Sequence, residues 1–363
     1  MKKVLLSDAV QLNPATKIEK GRNVKFISMD KLESFRKDIT QYEFRSFSSG
    51  SKFINGDTLL ARITPCLENG KTAFVDFLNK DEKAAGSTEF IVIRAIDGIT
   101  DSGYIYYLAI SPEFRDFAIK SMVGTSGRQR VQVDVLSNMK ISLPSIEKQK
   151  KIANILGSLD EKIELNRRMN ETLEQIGQAL FRHYFIDNPE REKWNMRELG
   201  EFFPVRTGKK DANFSSEDGK YPFFTCSQVV SKAPDFSFDC SAIILAGNGD
   251  FNIKYYKGKF EAYQRTYVLS PNKEEFLGFL YFLMKRDLRK ITGGSRGSVI
   301  KFITKGMIEN YKIRLPDDNN ILILCIEFNS ILDKISQNNI EIATLIKIRD
   351  SLLSKLISGE IEV

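Results

Sequence analysis

Two stretches of the chain carry one hydrophobic pattern. In the first, apolar residues recur at alternating steps of four and three: Ile152, Leu156, Leu159 and Ile163, then Leu173 and Leu180. That spacing predicts a helix that packs along one stripe against one other helix. Pro144 keeps the preceding segment out of the helix and Ser145 is a good N-cap, so the helix is expected over residues 146–185. The second stripe reads Leu324, Phe328, Ile331, Ile335, Ile342, Leu345 and Leu352. Lys312-Ile-Arg-Leu-Pro316 repeats Lys140-Ile-Ser-Leu-Pro144 at an offset of 172 (312 − 140). Held without gaps, the offset also aligns Ser158 with Ser330, Asn166 with Asn338, Thr172 with Thr344 and Leu180 with Leu352. The chain therefore reads as a tandem duplication: globular block, long helix, globular block, long helix. Asn166 and Asn338 stand in otherwise apolar seams beside the midpoints of the expected helices, 146–185 and 318–357. In an antiparallel pair with a pseudo-two-fold axis, equivalent residues meet only at the axis, so these two are expected to pair there.

Residues 1–139 alternate like short strands, with candidates at 25–29, 58–62, 73–76 and 90–93. Helical segments at 104–110 and 114–122 are split by Ser111-Pro112, and the alternating valines of 131–135 suggest a last strand. The polar run 187–193 reads as a linker. Beyond it, strands are expected at 221–225, 242–245, 254–256 and 265–269, and a helix at 274–290. Phe279-Leu-Tyr-Phe-Leu283 echoes Tyr104-Ile-Tyr-Tyr-Leu108. The four parts are thus 1–143, 144–186, 187–315 and 316–363.

Composition narrows the class. At 363 residues, 42% hydrophobic and 11% aromatic, the chain has material for two buried cores. A net charge of +7 weakly favours a polyanionic partner. The four cysteines are far apart and form no Cys-x-x-Cys, which suits reduced thiols in the cytosol rather than a disulfide framework or metal site. No signal peptide and no apolar run of membrane-spanning length is read. The single histidine, His183, sits beside Phe181, Tyr184 and Phe185 and reads as a packing residue, which leaves a Ser-His-Asp triad no base.

Several chemical motifs fail in detail. Asn69-Gly-Lys-Thr72 resembles the end of a phosphate-binding loop, but Pro65 stands where its first glycine belongs. The Gly-x-Gly of Leu245-Ala-Gly-Asn-Gly-Asp-Phe251 lacks the third glycine of a dinucleotide site. Asp235 with Glu261 suggests a nuclease metal site, but Tyr263 occupies the position of its lysine. No catalytic residue or metal ligand is assigned. Better signals are two Gly/Ser/Arg loops at matching places before each long helix. Gly124-Thr-Ser-Gly-Arg-Gln-Arg130 offers Ser126, Arg128, Gln129 and Arg130, and Gly293-Gly-Ser-Arg-Gly-Ser298 offers Ser295, Arg296 and Ser298. Arginine can take guanine O6 and N7 together, glutamine can take adenine N6 and N7, and the glycines let backbone approach phosphates. The polar loop at Thr64, Asn69 and Lys71 is a further DNA-binding candidate, with Ser87 and Thr88. In the second block the candidates are Ser227, Asn248, Lys254, Tyr256, Gln264 and Arg265.

The layout resembles the specificity subunit of type I restriction-modification systems. The resemblance rests on Leu143-Pro-Ser-Ile-Glu-Lys-Gln-Lys-Lys-Ile-Ala153, on Gly56-Asp-Thr-Leu-Leu-Ala-Arg-Ile-Thr-Pro65 with Asn69-Gly-Lys71, and on Gly86-Ser-Thr-Glu-Phe-Ile-Val-Ile93. It spans essentially the whole chain. The second helix departs from it, opening with Pro316-Asp-Asp-Asn-Asn320. The resemblance implies an α+β fold: two mixed α/β target-recognition domains joined by two long helices in an antiparallel coiled coil, duplicated about a pseudo-two-fold axis. It implies double-stranded DNA, methyltransferase subunits and a restriction motor-nuclease subunit as partners. It further implies no catalysis and no cofactor in this chain, S-adenosylmethionine, ATP and magnesium belonging to the partner subunits.

Overall fold

The computed structural model describes residues 2–125, 127–295 and 301–363. It divides into two compact units, Met1–Glu164 with Ala343–Val363, and Leu165–Ile342. Both long helices form, over Ile146–Phe181 and Asp318–Ser358. At about 1.5 Å per residue, 36 and 41 residues give roughly 54 and 62 Å. Each helix contributes to both units.

In the first unit two four-stranded sheets share a core. One runs in the order Val10–Leu12, Phe90–Ala95, Thr58–Ala61, Thr72–Phe74, entirely antiparallel. Its central strands read as continuous apolar runs because both faces are covered: Leu59, Leu60, Ile91 and Ile93 are all buried. The other sheet orders Glu43–Ser46, Asn23–Ile27, Ala84–Gly86, Ser51–Phe53. The helix Ser102–Ile110 is buried from Tyr104 to Ala109. Asp101 caps it by accepting from the Tyr104 amide at 2.9 Å, and Ser111 with Pro112 ends it and starts Pro112–Lys120. Lys2–Leu5 pairs antiparallel with Lys140–Leu143, which leads into the first long helix.

The second unit holds one six-stranded sheet, ordered Val205–Thr207, Thr266–Leu269, Phe238–Ala246, Ile253–Ala262, Tyr221–Phe224, Ser231–Ala233. Its helix Leu277–Ile291 lies directly on the second long helix: a Cβ on Gly278 would stand 2.5 Å from the Phe328 backbone. Asn195–Glu198 pairs with Lys312–Leu315, as Lys2–Leu5 does with Lys140–Leu143. The duplication therefore includes the strand pair that feeds each helix.

The helices run antiparallel within each unit. In the first, Asp160 meets Arg349 and Lys148 meets Glu362. In the second, Asn170 meets Asn338 and Phe181 meets Phe328. Ile152, Leu156, Ile163, Phe328, Ile331 and Ile335 are buried seam residues. Leu159, Leu173, Leu180, Leu324, Ile342, Leu345 and Leu352 are half-buried.

Three expectations differ. Residues 131–135 are the end of the strand Arg130–Val131 and the start of the helix Val133–Ser137, because Leu136 rather than Val135 reaches the core. Asn166 and Asn338 are both buried, but the Asn338 amide donates to Asn170 at 2.8 Å, and Asn170 donates to Asn339 at 2.9 Å. His183 is exposed, its ring edge-on to Tyr184, so it lies outside the core. The four cysteines are free thiols, and burial pushes Cys325 up to about 12. Among the described residues no helix is long and apolar enough to cross a membrane.

Candidate nucleic-acid interface

In the first unit, backbone pairing draws three separated stretches together. The Arg62 amide donates to Glu89 O at 2.9 Å, and Arg62 O accepts from the Val131 amide at 2.8 Å. The Thr64 amide donates to Gln129 O at 3.0 Å. Residues 62–64 thus lie between the segment before Phe90–Ala95 and the end of the 124–130 loop. That loop leaves and re-enters a two-stranded pair, Met122 with Val131 and Val123 with Arg130. Its Gly124 and Gly127 hold φ of +141° and +79°, which side-chain-bearing residues resist.

The arginines of this loop divide the work. Arg130 is fastened to Glu89 by three hydrogen bonds, from Nε at 3.1 and 3.0 Å and from Nη2 at 2.7 Å. These bonds hold the Glu89 carboxyl below its ordinary range. Arg130 is therefore a staple for the loop, with Nε and one Nη2 donor committed to Glu89. Arg128 is exposed, and among the described residues its side chain has no hydrogen bond or ion pair. Gln129 is half-buried.

The loop after Thr64 is equally built. Asn69 lies exposed at its tip, while Lys71 Nζ donates to Met29 O at 2.8 Å and so anchors the loop base. Arg115 supports it from outside, donating to the carbonyls of Leu67 and Glu68 at 3.2 and 3.1 Å. Ser87 Oγ accepts from the Glu89 amide at 3.2 Å, and Thr88 is exposed beside it. The structure thus gathers Thr64, Ser87, Thr88, Gln129 and Arg130 in one neighbourhood, with Arg128 at its edge.

In the second unit the candidates also collect at one end of the sheet. Lys254 Nζ donates to Ser227 O at 2.7 Å and to Asn252 Oδ1, and burial lowers its proton affinity. Asn252 Nδ2 ties the strand to Cys226 O at 3.0 Å and Asp250 O at 2.9 Å. The Gly247 amide donates to Arg265 O at 2.9 Å, and a Cβ there would stand 2.3 Å from that oxygen. This glycine therefore serves a close backbone crossing. Asn248 bridges to Phe302, Gln264 Nε2 donates to Asp211 at 2.6 Å, and Arg265 is exposed. Tyr256 is half-buried between the rings of Phe224 and Phe260, where it packs. Glu261 is buried and accepts from Ser237 Oγ at 2.6 Å and the Ala262 amide at 2.9 Å. Ser295 is half-buried just past Leu277–Ile291. Ser126, Arg296 and Ser298 lie outside the described residues.

Sequence reasoning passed over Arg62, Glu89 and Asn252. Glu89 and Arg62 sit inside the very motifs that were noted, yet their roles depend on pairings 41 and 69 residues distant (130 − 89 and 131 − 62).

The family described as "Type I restriction modification DNA specificity domain" matches the chain twice, over residues 10–175 and 191–349. The specificity subunit of the type I restriction enzyme EcoDI of Escherichia coli is 40% identical over 174 residues, covering 46% of this chain and 38% of that protein. The MjaIX specificity subunit of Methanocaldococcus jannaschii is 27% identical over 308 residues, covering 74% of this chain and 70% of that one. Against the first relative, the chain therefore spans well under two thirds of its length. The crystal structure of a type I restriction-modification S subunit from M. genitalium shares the fold, with a TM-score of 0.58 at 17% identity over 98% of this chain and 96% of that chain.

Proposed function

Since the chain belongs to the type I restriction modification DNA specificity family and carries its domain twice, we propose that it is the sequence-reading subunit of a type I restriction-modification complex. Each unit reads one half of a bipartite duplex, and the paired long helices set the gap between the halves. Methyltransferase subunits dock on those helices, and a motor-nuclease subunit joins them for restriction. The chain itself catalyses nothing; S-adenosylmethionine, ATP and magnesium are held by the partners, and the complex works in the cytoplasm.

One observation supports this reading most. Exposed Arg128, with no side-chain partner among the described residues, stands in a loop tied down by Glu89–Arg130 and by Thr64–Gln129 backbone pairing. An exposed guanidinium held between such ties suits bidentate recognition of guanine in the major groove. The test is selection from a random-sequence duplex pool by the full chain with its methyltransferase partner. Two short motifs at a fixed gap are expected; a single contiguous motif, or no enrichment, rejects the reading. Arg128→Ala should cost about 1–3 kcal/mol on the selected target and relax one position of one half only. Unchanged affinity and unchanged preference would remove Arg128 from the site.

A further inference from the structure

A groove of about 430 Å³ opens in the first unit between residues 13–17, Gly50 with the start of the strand Ser51–Phe53, and the strand Phe90–Ala95. Its polar lining is Thr16, Lys17, Ser51, Lys52, Arg62 and Thr88, with Asn13, and no acidic residue contributes. The walls are fixed. Asn13 brackets the strand, its amide donating to Val92 O at 2.7 Å and its Oδ1 accepting from the Val92 amide at 3.0 Å. Ser51 Oγ donates to Phe90 O at 2.9 Å. Gly50, at φ +127°, lies so close to Gly86 O that a Cβ would stand 2.1 Å from it.

Among the described residues the cations of this groove form no ion pair, although the Glu89 carboxylate acts on Arg62 without bonding to it. Two carboxylates of the same unit are taken: Glu89 by Arg130, and the buried Asp57 by Arg94 at 2.7 Å through both oxygens. Arg62 buries its Nε, and among the described residues its side chain has no hydrogen-bond partner. Lys52 Nζ lies over the Phe47 ring at 5.2 Å, and Lys17 is exposed; among the described residues neither forms an ion pair. Thr16 Oγ1 accepts from Arg94 at 3.2 Å, which leaves its own proton to donate. A buried guanidinium nitrogen without an acceptor is costly in the free protein. An anion with several oxygens would satisfy it together with the two ammonium groups and the hydroxyls.

We propose that this groove, with Arg62 at its floor and Lys17 and Lys52 at its rim, seats a backbone phosphate of the DNA strand beside the half-site read by the first unit. The proposal rests on the DNA-reading function above and adds a positioning contact to it. Arg62 joins the two: its backbone is paired to Glu89 and Val131, in the same neighbourhood as Thr88 and the Arg128 loop. A phosphate seated here would fix how deeply that loop enters the groove of the duplex.

The test uses the full chain and a random-sequence duplex, so that no target need be known. Binding is measured against salt for the wild type, for Lys17→Gln with Lys52→Gln, and for Arg62→Gln. Each phosphate contact removed should flatten the slope of log K against log salt by about 0.9. With one phosphate at stake, the double lysine variant should lose up to about 0.9 in slope, and Arg62→Gln no more than that, with no change in the motif selected from a random pool. The lysine variant alters only rim side chains and so stays informative if Arg62→Gln fails to fold. A wild type that binds with a steep slope, together with variants that match it, overturns the groove and leaves the DNA reading intact. A wild type that does not bind duplex defeats both. A changed motif at unchanged slope makes the groove a base reader and also overturns the proposal.

Discussion

The two units settle the same contact in opposite ways. In the first, Tyr107 Oη donates to Asp160 at 2.7 Å, and Arg349 Nη1 donates to its other oxygen at 2.7 Å. All three residues are buried. The offset of 172 places Leu332 opposite Asp160 and Gly177 opposite Arg349, and the Tyr104–Leu108 echo places Phe282 opposite Tyr107. In the second unit the set is apolar: Phe282 and Leu332 are buried in one core, and Phe282 lies so tightly on Gly177 that a Cβ there would stand 2.2 Å from its ring. All three positions have changed character together. A partial exchange would leave a buried charge or hydroxyl unpaired, whereas a complete polar or complete apolar set is self-consistent. The polar set drives the Tyr107 hydroxyl upward in pKa, first through burial and then through Asp160. Arg349 stays charged against its burial because Asp160 and Asp350 sit on it.

The comparison breaks most readily at Asp160. Asp160→Ala should destabilise the first unit by about 3 kcal/mol, the low end of the range for breaking a buried pair, because Asp350 remains at 2.8 Å from Arg349. Denaturant unfolding followed by hydrogen exchange in each unit checks this, and a loss below about 1 kcal/mol contradicts it. Tyr107→Phe, Asp160→Leu and Arg349→Leu together should recover most of that loss, ending within about 1 kcal/mol of the wild type. If the triple variant is no better than the single one, the two sets are not equivalent solutions.

Smaller effects sharpen the other side. Gly177→Ala should cost the second unit about 1–3 kcal/mol although alanine is the better helix former, since the Phe282 ring is fully buried and must shift. A stabilised variant would show that the ring has room. Least of all, Asn166→Leu should raise stability by about 1 kcal/mol, because its buried Nδ2 has no hydrogen-bond partner among the described residues. A measured loss would mean that this amide has a role in the seam.

What was legible in the sequence follows from this contrast. The helices announced themselves because Ile152, Leu156 and Ile163, or Phe328 and Ile335, keep one face over many turns. Apart from Asn166 and Asn338, the polar seam members were invisible to the same reading. Asp160, Arg349 and Gln149 are as buried as their apolar neighbours, but a search for hydrophobic period skips them. Gln149 caps the helix Ser102–Ile110 from outside, accepting from the Asp101 amide at 2.9 Å and donating to Ile99 O at 3.1 Å, a contact with no local signature. The Gly/Ser/Arg loop was found by its composition, yet the difference between Arg128 and Arg130 was not. That depends on Glu89, which reaches Arg130 only after the sheet has formed. Residues 131–135 misled because alternating valines fit a strand, while burial of Leu136 favoured a turn of helix.

The central proposal is that the long helices act as a ruler for the gap between two DNA half-sites. One heptad inserted in both helices at one level, after Glu171 and after Gln337, keeps the seam facing its partner while adding about 10 Å. That is close to three base pairs at about 3.4 Å each. Selection from a random duplex pool, with the wild type alongside, should return the same two half-motifs with the gap longer by about three base pairs. An unchanged gap, or a change in the bases of either half, would contradict the account.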